Sequence, residues 1–129
     1  MTARRRVSSG GPWEKRGGYS RAIVVGDDCW VAGTTDAGPD GRSLHPDDIG
    51  GQARAALATI EAALHEAGFA MTDVVRTRMF VTDIERADEV LAVHGEVFRD
   101  IRPAATMVEV ARLIEPSMLI EIEVDARRS

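Results

Sequence analysis

Apolar positions recur along the chain with two periods, and the periods predict the elements. Arg21-Ala-Ile-Val-Val25 and Cys29-Trp-Val-Ala32 are β-rich runs flanking Gly26-Asp-Asp28, the pattern of a hairpin. The cluster Gly38-Pro-Asp-Gly41 marks a turn. Beyond it Ile49, Ala53, Ala56, Leu57, Ile60, Ala63 and Leu64 lie three and four apart, which predicts a helix capped by Asp47 or Asp48 and stopped at Gly68. The small size of these residues lets that helix sit close to a sheet. Residues 74–82 alternate, with Val75, Thr77, Met79 and Val81 on one face and Arg76, Arg78 and Phe80 on the other. A second helix over 85–100 turns Ala87, Val90, Leu91, His94, Val97 and Phe98 inward and ends at Arg102-Pro103. Strands over 105–113 and 118–126 follow, joined across Glu115-Pro-Ser117.

The order ββ–α–β–α–ββ predicts an α+β fold, one mixed sheet backed by two helices. In the last strand Ile120, Ile122 and Val124 point toward the helices, and Glu121, Glu123 and Asp125 point away. That acidic face is either solvated or covered by another copy, with Arg76 and Arg78 pairing its charges across the contact. Residues 1–18, rich in Arg, Ser and Gly around Trp13, read as a flexible tail. Residues 19–129 make a single domain.

Composition narrows the function classes. The 129 residues carry a net charge of −5, with 16 Lys and Arg against 21 Asp and Glu. An acidic balance and 5% aromatics argue against nucleic acid as a partner. No apolar run approaches the roughly 18 residues that cross a bilayer, so no membrane role is expected. The single Cys29 excludes an internal disulfide and a Cys-rich zinc site, and points to a reducing cytoplasm. His45, His65 and His94 lack metal-ligand spacing, and no phosphate loop or dinucleotide fingerprint is present, so neither metal nor cofactor is expected.

The segment Arg102-Pro-Ala-Ala-Thr-Met-Val-Glu-Val-Ala-Arg-Leu113, followed by Ile120-Glu-Ile-Glu123, closely resembles the signature of the Rid/YjgF family. Its members are the reactive-intermediate deaminases, known in older usage as L-PSP endoribonuclease-like proteins. The likeness continues through Gly26-Asp27, Gly33, the helix from Gln52 and Val75-Arg-Thr-Arg-Met-Phe-Val-Thr-Asp83, and covers nearly everything after residue 17. It implies a chorismate-mutase-like fold assembled as a homotrimer, with a central β-barrel and three clefts between subunits. It also implies hydrolysis of 2-imino and 2-enamino acids to 2-keto acids and ammonia. The family's carboxylate-gripping arginine falls at Ala105, whose methyl group cannot make a bidentate grip. Ala32 stands where a serine is common, and Leu91 where an asparagine is expected. Tyr19 matches the family tyrosine, and Glu121 matches the acid that positions water.

The candidate catalytic set is therefore His94, Glu121 and Tyr19. His94 sits at helical spacing among apolar residues, as a general base or as a hydrogen-bonded core histidine. Gly95 beside it leaves room for close approach of a ligand or backbone. Glu121 either moves protons or pairs with Arg76 or Arg78. Tyr19 either donates to an oxyanion or packs on the strand edge. The candidate substrate contacts are Trp13, Leu91, Ala32, Arg102, Ala105 and Thr106. Trp13 and Glu14 form either a lid or part of the tail. Arg102 either replaces the missing anchor or complements a helix end.

Two function classes follow. One is a Rid-type enzyme performing hydrolysis, tautomerisation or elimination on a small imine-, enamine- or carbonyl-containing metabolite, outside standard 2-iminoacid deamination. The other is a non-enzymatic ligand-binding or chaperone-like trimer. Endoribonuclease activity ranks third.

Overall fold

The computed structural model describes residues 3–129. Six strands form one sheet: β1 (Arg4–Val7), β2 (Ala22–Val25), β3 (Asp28–Thr34), β4 (Val74–Val81), β5 (Ala104–Glu109) and β6 (Ile120–Arg127). Two longer helices, α2 (Ile49–Glu66) and α3 (Ala87–Phe98), join a short α1 (Pro12–Gly17). The strand order is β1-β2-β3-β6-β4-β5. All neighbours run antiparallel except β4 and β5, which are parallel and joined through α3. The architecture is the expected α+β layer.

The last strand of the chain lies inside the sheet and unites its halves. β6 pairs with β3 on one side and β4 on the other. Its strict alternation suits that place: Ile120, Ile122, Val124 and Ala126 are fully buried toward the helices. α2 packs on β6 and β3, and α3 on α2. The apolar residues predicted for α2 are all buried. Asp48 caps it by accepting from the Gly51 N–H at 2.9 Å. Gly68, at φ 85°, follows its end with its N–H on the His65 carbonyl at 3.0 Å, as the stop signal required.

Five expectations change. Residues 4–17 form β1 and α1 where the composition suggested a flexible tail, and Met1 and Thr2 lie outside the described residues. The cause is tertiary, because β1 pairs with β2 in register from Arg4–Val25 to Val7–Ala22. In β4 a bulge between Val74 and Arg76 puts Val74 in the core and leaves Val75 half exposed. In α3 the inward position belongs to Val93, and Leu91 is 52% exposed. β5 stops at Glu109 because its only partner, β4, ends at Val81 opposite it. Arg76 and Arg78 find their acids within the chain: Arg78 Nη1 lies 3.3 Å from Glu123 Oε1 and 3.5 Å from Asp125 Oδ2, and Arg76 Nε 4.0 Å from Asp125. The β4–β6 register sets these opposite one another, so no second copy is needed to pair them.

One buried polar side chain ties α2 to both neighbouring loops. Gln52, fully buried, donates from Nε2 to the His45 carbonyl at 3.1 Å and the Ser117 carbonyl at 2.9 Å. It accepts at Oε1 from the Leu119 N–H at 2.8 Å. Gln52→Leu keeps the volume and strips all three partners, and is expected to lower stability by about 3 kcal/mol in urea unfolding. A loss under about 1 kcal/mol would show that water or rearrangement satisfies those groups.

Candidate functional site

The cavity at the meeting of the N-terminal segment, β3 and β6 is set up by Gly33. The β3–β6 register slips between Val31 and Thr34, so Ala32 and Gly33 fall in a bulge. A Cβ at Gly33 would collide with the Glu121 carboxyl, so the absent side chain is what lets Glu121 lie across β3. The cavity measures about 640 Å³ and is walled by Trp13, Tyr19, Leu44, Ile114, Arg21 and Glu121 among others.

Glu121 faces Phe80 in the β4–β6 register, so it stands apart from the arginine pairs of Glu123 and Asp125. Burial raises its carboxyl above the ordinary 4.5; Glu123 adds to this and the Arg21 charge opposes it. Tyr19 is 43% exposed, with the Arg21 guanidinium 5.7 Å from its ring centroid.

Arg21 is the residue that sequence reasoning missed. It is buried, with Nη1 donating to the Gly33 carbonyl at 2.8 Å and to Thr34 Oγ1 at 2.9 Å. Its Nε lies 3.6 Å from Glu14 Oε2. Glu14 is buried too, held by Ser8 Oγ at 3.1 Å, the Ser9 N–H at 3.3 Å and the Ser9 hydroxyl. Burial pushes its carboxyl up, but those hydrogen bonds and the Arg21 charge outweigh burial and hold it below the ordinary value. The available signal was a lone arginine heading an apolar strand, with one glutamate seven residues before it.

The other predicted site residues lie elsewhere on the chain. Half-buried His94 contacts Thr77 Oγ1 through Nε2 at 2.9 Å and stacks on Phe98 at 4.6 Å. Burial lowers its pKa below the ordinary 6.5, which favours the neutral imidazole. His94, Leu91 and Arg102 line a separate shallow hollow of about 440 Å³. Nothing lies within 4 Å of a Cβ placed at Gly95, so no backbone packs there within the chain. Arg102 is exposed at φ 55°, its N–H on the Phe98 carbonyl at 2.9 Å, a left-handed conformation that closes the end of α3. Ala105 and Thr106 sit exposed on β5, opposite Thr77 and Arg78. Ala32 adjoins the first cavity without lining it. One chain thus unites Trp13, Tyr19 and Glu121 but holds His94, Leu91 and Arg102 apart from them.

Cys29 is buried, and burial pushes its thiol up to about 11 against the opposing charges of Arg5 and Arg128, so it is no nucleophile. Among the described residues no cluster of three His, Cys, Asp or Glu side chains is placed to hold a metal. No helix among them is long and apolar enough to cross a membrane.

A one-layer α+β sheet with a carboxyl-bearing cavity at its bulged centre is the class these features define. The family model described as Endoribonuclease L-PSP matches residues 12–128, and the chain belongs to this family, the Rid/YjgF family. The crystal structure of Rv2704 from Mycobacterium tuberculosis, a member of the YjgF/YER057c/UK114 family, superposes with a TM-score of 0.89. It shares 50% identity, over 98% of this chain and 100% of that one. SCO2049 of Streptomyces coelicolor is 37% identical over 96% of this chain and 92% of its own. A rat 2-iminobutanoate/2-iminopropanoate deaminase is 32% identical over 83% of this chain and 77% of its own.

Two outcomes test this geometry. An acid with a raised folded-state pKa binds its proton more tightly when folded, so its stabilising contribution is present below pH 4.5 and is lost as pH rises through the folded value. Glu121→Gln should therefore flatten the stability decline above pH 4.5, measured by urea unfolding across pH 4 to about 7; an unchanged slope would mean Glu121 titrates normally. Gly33→Ala should displace the Glu121 carboxyl and return its carbon-13-detected titration toward 4.5, and an unmoved midpoint would contradict the close approach.

Proposed function

We propose that the chain is a small-molecule enzyme of the Rid type, acting in clefts between copies of a homotrimer on an imine-, enamine- or carbonyl-containing metabolite. The observation that carries this reading is the convergence of Glu121 and Tyr19 in one cavity, with the Glu121 carboxyl partly desolvated. For hydrolysis of an imine, water adds to the C=N carbon while Glu121 takes its proton and passes one to nitrogen. Glu121 then takes the O–H proton of the resulting carbinolamine and delivers it to the amine nitrogen, so that the C–N bond breaks, ammonia leaves and the carbonyl forms. The Tyr19 hydroxyl donates to the developing oxyanion. Tautomerisation and elimination would use the same carboxyl to shuttle a proton.

Assembly supplies what one chain lacks. β5 pairs on one side only, and Leu91, Val108 and Trp30 are exposed apolar surface. A second copy against the β5 edge would bring His94, Arg102 and Thr106 of one subunit toward Tyr19 and Glu121 of the next. His94, neutral and oriented by Thr77, is then a second base. The rat relative's name points to 2-imino acids, but Ala105 in place of the anchoring arginine speaks against that substrate here. Apolar Ala32, Leu91 and Ala105 favour, as the second reading, a trimer that binds ligands without turning them over. The acidic net charge disfavours RNA cleavage, and a single buried cysteine fits a cytoplasmic setting.

Freshly generated 2-iminopropionate should hydrolyse no faster with the protein than without it; rapid turnover would sink the role given to Ala105. Uncharged imines, made in situ from amines by an amine oxidase, should release ammonia faster with the protein. Glu121→Gln should cut that acceleration about 100-fold. Equal rates in the variant would remove Glu121 from the catalytic groups, and no acceleration of any imine would favour the binding reading.

A further inference from the structure

The cavity's charges are unequal. Among the described residues that line it, Arg21 is the one basic side chain, whereas Glu14 and Glu121 are both acids. Arg21 is already engaged: Nη1 serves the Gly33 carbonyl and Thr34 Oγ1, and Nε faces Glu14 at 3.6 Å. The side chains of this pair are 9% and 6% exposed, so water screens their attraction poorly. Glu14, in the first turn of α1, is in turn locked by three donors from Ser8 and Ser9 besides the ion pair. The guanidinium charge is thus spent on the wall of the cavity. The second acid, Glu121, lies over Gly33 with no salt-bridge partner among the described residues. The rest of the wall carries no charge: Trp13, Tyr19, Leu44 and Ile114 supply apolar surface, and Thr35 and Thr59 add hydroxyls.

We propose that the Glu14–Arg21 pair is the specificity determinant of this site, making it select uncharged or cationic ligands with an apolar body and reject carboxylates. The inference rests on the cavity being the ligand site, as in the function proposed above. A carboxylate entering here meets two acids against one committed cation, and only neutral hydroxyls, such as that of Tyr19, remain to receive it once it is desolvated. An amide or ammonium group instead meets the Glu121 carboxyl as an acceptor, and its apolar remainder lies against Trp13 and Tyr19. Ala105 alone would only remove an attraction for carboxylates. Glu14 adds a repulsion, and the two together explain a switch of substrate charge rather than a mere loss of affinity.

The test uses benzylamine, benzamide and benzoate as probes of one shape and three charges. Binding is read from the indole N–H resonance of Trp13 and by calorimetry on the full-length protein at pH 7. Benzylamine or benzamide should bind about tenfold or more tightly than benzoate. Glu14→Gln keeps one acceptor oxygen for Ser8 and the Ser9 N–H and removes the negative charge facing Arg21; it should raise benzoate affinity about tenfold and leave benzamide within about twofold. The wild-type ranking needs no variant, so it decides the matter even if Glu14→Gln folds poorly. Benzoate binding as tightly as benzamide in the wild type overturns the inference while leaving the cavity as a ligand site. A Glu14→Gln protein that folds without gaining benzoate affinity also overturns it. If none of the three probes moves the Trp13 resonance, the cavity reading itself fails and this inference with it.

Discussion

A sheet whose two long helices cover one face only is the constraint from which the rest of the molecule follows. α2 and α3 lie on the side to which β6 turns Ile120, Ile122 and Val124, so every other residue of the central strand is sent to the bare side. On that side the acids have two fates. Glu123 and Asp125 meet Arg78 across the β4–β6 register and form half-exposed pairs, each worth about 0.2–1 kcal/mol. Glu121 faces Phe80 and is left for other work. The division depends on register alone, because a slip of one residue would exchange the core and open faces of the whole strand.

Around Glu121 the local chemistry is made by backbone irregularity and by a buried ion pair. The bulge in β3 puts Gly33 under the carboxyl, and its missing Cβ permits contact that no other residue would allow. The N-terminal segment then folds over this end of the sheet. Its order comes from β1 pairing with β2 and from Glu14 reaching Arg21, not from intrinsic propensity. One glutamate therefore both fastens the segment and sets the charge of the cavity. A pair as buried as this is poor evidence of net stabilisation, because desolvating both charges offsets much of their attraction. The remaining candidates, His94 on α3 and Ala105 on β5, belong to a different part of the chain.

Much of the fold was legible in the residues. The period of α2, its Asp48 cap and its Gly68 stop are local, and each acts through bonds within a few residues. The alternation of β6 named its buried face for the same reason, since strand period is independent of what lies alongside. The family motifs found Glu121 and Tyr19, and the structure sets both in one cavity. Leu91 and Val75 were misassigned because helix phase and a β-bulge depend on neighbours the pattern does not contain. The segment 4–17 was taken for a tail because Arg, Ser and Gly order only when a strand edge and a buried cation are present to receive them.

The sequence by itself thus determined the elements, the faces of β6 and the class of the fold. Tertiary structure decided the position of β6 between β3 and β4, the burial of Arg21 against Glu14 and the separation of His94 from Glu121. The physical reason is range. Propensity, capping and period act over a few residues, whereas register, burial and electrostatic pairing are set by groups far apart in the chain, which only the folded molecule brings together.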